Sequence, residues 1–258
     1  SLLPRLLDAL GAIFTAVGTF EEAVVRTRHG SDSSALILSE EQLVAGADLA
    51  RAQGCGLGRL LAGYQRVLIY PFSGGAAGLR ALGELVHARV EVAEAFPVDP
   101  SYTVSGSEEM CGPFTGLRCG SLDHATDRGL TVTDAECNVD FIVAVGDAGL
   151  VTRFSREGTE VFVISSRAVF DVDEEQGRNL TVGRCFSALV PLLFFLRHCG
   201  VPRFESPHRW ANWIIDDLNL KPRYGFLRLR DLAETANRAR AAATVAFIPW
   251  DYRRISAV

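Results

Sequence analysis

Three observations predict an α/β protein in two pieces, the first with a mostly parallel sheet. The apolar runs "RVLIYPF" (66–72) and "RVEVAE" (89–94) flank a helical stretch opened by glycines, a strand–helix–strand order. The same order returns with "WII" (213–215), a helical stretch and "TVAFIPW" (244–250). Between the two, "VPRFESPHR" (201–209) carries two prolines and no apolar period, the signature of a connecting segment. The predicted organisation is an α/β domain over 1–200, a linker over 201–211 and a second piece over 212–258.

Taken in order, the first twenty residues predict one amphipathic helix, with Leu3, Leu6, Leu7, Leu10 and Phe14 on a single face. "ALIL" (35–38) reads as a short strand. Ser39 with Gln42 three residues on is a capping-box pattern, so a helix runs to about Ala52 and stops at the glycines that follow. After the strand at 66–72, "SGGAAG" (73–78) forms a turn into a helix. It departs from a dinucleotide fingerprint because residue 76 is alanine, and no Gly-Lys-Ser/Thr follows, so a tight turn is the expected role. The carboxyl end of that strand is still where a small-molecule crevice is expected.

Residues 97–138 are rich in Gly, Ser, Asp and Thr and predict a long excursion with short elements. "FIVAVGD" (141–147) is a buried strand, and "GLVTRFSREGTEVFVISS" alternates around Glu157-Gly158 as a hairpin does. "TVGRCFSALVPLLFFLRHCG" (181–200) predicts a buried helix, kinked near Pro191 and stopped by Gly200.

The net charge of −5 gives no electrostatic reason to expect nucleic acid or an anionic membrane as partner. The most apolar run, Cys185 to Leu196, is too short to span a bilayer, and the stretch over 1–20, which carries Arg5 and Asp8 and ends in no A-x-A-like site, does not read as a clean signal peptide. Six cysteines without metal-ligand spacing predict reduced thiols and a cytoplasmic location. Cys111 and Cys119 lack the local signature of a nucleophile, and His124 and His198 read as surface or helix-end residues. The run Asp171, Asp173, Glu174, Glu175 lacks the oxygen spacing of a calcium loop and reads as a solvated loop.

The chemistry concentrates at Asp216 and Asp217, which follow the apolar triplet Trp213-Ile214-Ile215. Neighbouring side chains on a strand face opposite ways, but where the pleat breaks at a carboxyl end both can reach one groove. Two carboxylates there repel unless a cation lies between them. Ordinary turn chemistry before Pro222 is the other explanation.

The residues around the pair carry a resemblance. Ile215-Asp216-Asp217, Leu220, Tyr224-Gly225-Phe226, Ala246-Phe247-Ile248-Pro249-Trp250 and Tyr252-Arg253-Arg254 resemble the opening of a polysaccharide deacetylase domain of the NodB-homology type, over about 45 of the 258 residues. The resemblance implies the beginning of a (β/α) deacetylase-type barrel acting on N-acetyl groups of carbohydrates, with a divalent metal, zinc or similar. By the same resemblance Asp216 is the catalytic base and Asp217 the metal ligand. Leu218 stands where the family has proline or glycine. The family's metal-binding histidine pair has no counterpart, since His29, His87, His124, His198 and His208 are dispersed. The barrel is therefore expected to be only begun here, and the chain alone to be inactive and without a firmly held metal.

By layout, the first domain resembles amidotransferase-like or flavodoxin-like α/β domains. Two functions follow: part of a metal-dependent carbohydrate deacetylase, or a non-catalytic α/β module that binds a ligand for a neighbouring catalytic domain.

Overall fold

The computed structural model describes residues 2–28, 35–93, 101–120, 129–156, 158–166, 169–171, 187, 189–201, 212–218, 229–239 and 242–247, with the backbone alone at 25–28, 120, 212–218, 229, 243 and 245–247. Two compact units divide between Phe204 and Glu205.

The first unit opens with α1 (Leu2–Ala9) and α2 (Phe20–Arg28). One helix across the first twenty residues was expected. Instead the chain leaves α1 through Gly11, whose φ of +66° suits a residue without a Cβ, and the amide of Ala12 donates back to the Leu7 carbonyl. Leu6 and Leu7 are buried, whereas Ile13 and Phe14 are exposed, so the apolar period past residue 10 does not mark a core face.

Strand β1 (Ala35–Leu38) leads into α3 (Glu40–Ala52) through the expected capping box. Ser39 Oγ accepts from the Gln42 amide at 3.2 Å and the Gln42 side chain accepts from the Ser39 amide at 3.0 Å. A short α4 (Leu57–Leu61) and β2 (Arg66–Ile69) follow, then α5 (Ala76–Val86) and β3 (Arg89–Val92). The excursion supplies β4 (Ser101–Val104), α6 (Glu108–Cys111), β5 (Arg118–Gly120) and β6 (Leu130–Thr133). The long β7 (Asn138–Val145), β8 (Ala148–Arg156) and β9 (Thr159–Ile164) form a meander, with the hairpin at 157–158 as expected. Helix α7 (Val190–His198) closes the unit. Pro191 lies in its first turn, where the missing N–H costs nothing; of the longer helix expected over 181–200, residues 181–186 and 188 lie outside the described residues. Gly200, at φ +63°, ends it as expected.

The nine strands form one mixed sheet in the order β1-β2-β9-β8-β7-β4-β5, with a branch from β8 through β6 to β3. Parallel pairing is confined to β1/β2 and β2/β9; the other described pairings are antiparallel. This corrects the expectation of a mostly parallel sheet. It also corrects the parallel unit expected over 66–94, since β3 pairs with β6 and not with β2. The reason lies in burial. Parallel neighbours are covered on both faces and need continuous apolar runs, which β9 offers in "VFVI". β3 alternates, with Arg89 and Glu91 exposed and ion-paired, as suits a strand covered on one face. The parallel unit in this domain is β1–α3–α4–β2.

Both faces of the sheet are covered. Leu68, Tyr70, Phe162 and Ile164 pack with α1, α6 and α7, while Val67, Ile69, Val161 and Val163 pack with α2 to α5. The period-2 alternation of β2 and β9 thus feeds two cores, one on each side.

The second unit is a parallel pair, β10 (Asn212–Leu218) and β11 (Ala242–Phe247), joined through α8 (Leu229–Ala239). No helix among the described residues is long and apolar enough to cross a membrane.

Candidate functional site

Asp216 and Asp217 lie near the carboxyl end of β10. Its ladder to β11 runs regularly from Asn212↔Ala242 to Ile215↔Val245 and resumes at Leu218↔Phe247. Three steps on β10 match two on β11, so one extra residue is inserted across the two aspartates. Such a bulge interrupts the alternation of the pleat and sharpens the local twist. The side chains of both residues, and the loop with Pro222 and Gly225, lie outside the described set. In this sequence the two carboxylates have no histidine closer than His208, eight residues before Asp216. A hydrolytic zinc site takes about three protein ligands and an open position. The local donor set is therefore part of a metal site at most, and no chemical step is derived through a metal. Among the described side chains no group of three or more His, Cys, Asp or Glu is arranged to hold a metal ion.

At the carboxyl ends of β1 and β2, where a crevice was expected, a protein carboxylate occupies the glycine turn. Glu40 Oε2 accepts from the amide and the hydroxyl of Ser73, each at 2.6 Å, and Glu40 Oε1 accepts from the amide of Gly75 at 2.8 Å. Gly75 is the N-cap of α5, so the carboxylate also meets the positive end of that helix. Gly78 is required by the same contact, because a Cβ there would lie 2.6 Å from Glu40 Cδ. The turn keeps the structural role expected of it, with an internal anion.

His198, read as a helix-end residue, does lie in the last turn of α7, and it has a partner that the sequence does not announce. Its Nε2 is 2.7 Å from Glu160 Oε2, and its ring lies 5.4 Å from that of Phe162. Arg66 Nε reaches the same carboxylate oxygen at 3.1 Å and Arg153 Nη1 the other at 3.4 Å. The neighbouring Cys199 thiol is pushed up to about 12, first by burial, with the Arg66 charge opposing and the Glu160 charge adding to it. Burial likewise pushes the Cys111 thiol up to about 11 against the Arg197 charge. Neither is a reactive thiolate at neutral pH, in keeping with the structural role expected of Cys111. The five described cysteines are free thiols. His124 and the acidic positions Asp173, Glu174 and Glu175 lie outside the described residues.

A cavity of about 450 Å³ opens between α4, α5 and the amino ends of β2 and β9, on the opposite end of β2 from the Glu40 turn. Arg59, His87, Cys137 and Arg156 line it. They are spread over a hundred residues, and the sequence reading singled out none of them as a site. Only the unusual conformation of His87, in the left-handed region at φ 53° as the C-cap of α5, marks one of them locally.

Compared with family models, with curated proteins and with solved structures, the chain matches none.

Proposed function

We propose that residues 212–258 form the opening of a metal-dependent carbohydrate deacetylase domain that hydrolyses N-acetyl groups. The observation that supports this most is the parallel β10–α8–β11 unit with two adjacent aspartates at the bulged carboxyl end of its first strand. In α/β folds that end of the sheet is where polar groups from different elements converge. The resemblance of 212–254 to the deacetylase family supports the roles: Asp216 as the base that takes a proton from water, Asp217 as a metal ligand. A divalent metal, zinc or similar, would supply charge stabilisation for the tetrahedral oxygen. The remaining ligands have no counterpart near Asp217 in this sequence, so residues 1–258 alone bind metal weakly and turn over little.

The test is acetate release from N-acetylated oligosaccharides by the natural full-length protein, with zinc, cobalt or manganese added. Asp216→Asn and Asp217→Asn are each expected to abolish it. Undiminished release in the Asp217→Asn variant overturns the reading. Tight stoichiometric metal binding with turnover by residues 1–258, lost in Asp217→Ala, overturns the claim that further ligands are needed.

A second reading is a non-catalytic module whose first unit binds a ligand for a neighbouring catalytic domain. The cavity beneath α4 and α5 favours it.

A further inference from the structure

We draw no further inference here: the strongest candidate, the exposed apolar patch that Ile13 and Phe14 present on the connection between α1 and α2, carries nothing because nothing among the described residues shows what covers it.

Discussion

The imidazole of His198, on α7, meets the carboxylate of Glu160, on β9, at 2.7 Å across 38 residues of chain. The same carboxylate receives Arg66 from β2 and Arg153 from β8, so one anion ties three strands and a helix together. All four side chains are less than a third exposed, which keeps solvent screening modest. Removing the hub leaves three donors facing one another. Glu160→Leu is expected to cost about 2 kcal/mol in urea unfolding, and His198→Leu, which retains apolar contact with Phe162, about 1 kcal/mol or less. The reverse order would show that the ring contact, and not the carboxylate, holds α7 in place.

Glu40 and Gly78 give a sharper test, because their coupling changes the sign of an effect. Alanine in a helix interior is worth about 1 kcal/mol over glycine. At Gly78 the added Cβ presses on a Glu40 carboxylate pinned by three hydrogen bonds. Gly78→Ala is therefore expected to destabilise the protein when Glu40 is present and to stabilise it, by up to about 1 kcal/mol, in the Glu40→Ala background. Additive effects in that double-mutant cycle would refute the contact.

Alkaline pH is expected to weaken the fold. Burial raises the Tyr70 hydroxyl from 10.0 to about 12, the Cys199 thiol from 9.0 to about 12 and the Cys111 thiol from 9.0 to about 11. In each case the folded state holds its proton more tightly than the unfolded chain. The stability this represents is complete below about pH 9 and is lost as pH rises toward 12, because the unfolded state ionises first. Urea midpoints measured under reducing conditions from pH 7.5 to 10.5 should fall with pH. The fall should be shallower in Cys111→Ser, and an equal slope would remove Cys111 from the account.

Features that act over a few residues were legible in the chain. The capping box at Ser39 and Gln42, the hairpin at 157–158, the glycine turn into α5 and the stop at Gly200 each arise from backbone groups satisfied by near neighbours. The parallel order of 212–247 was legible for the same reason, as was the position of Asp216 and Asp217 near the end of its first strand. Residues 1–20 misled because an apolar period records which residues cluster, not where Gly11 turns the chain away.

Sequence by itself determined where most strands and helices begin, residues 1–20 apart, and which residue types stand at their ends. Tertiary structure alone decided which distant strands of the first unit pair. β9 lies beside β2 because its run is apolar on both faces, a competition that no local window contains. It also decided that a carboxylate from α3 fills the turn after β2, that His198 meets Glu160, and that Arg59, His87 and Arg156 surround one cavity. These are encounters between groups tens of residues apart. They form only when burial of two cores has brought the elements together, and no spacing along the chain encodes them.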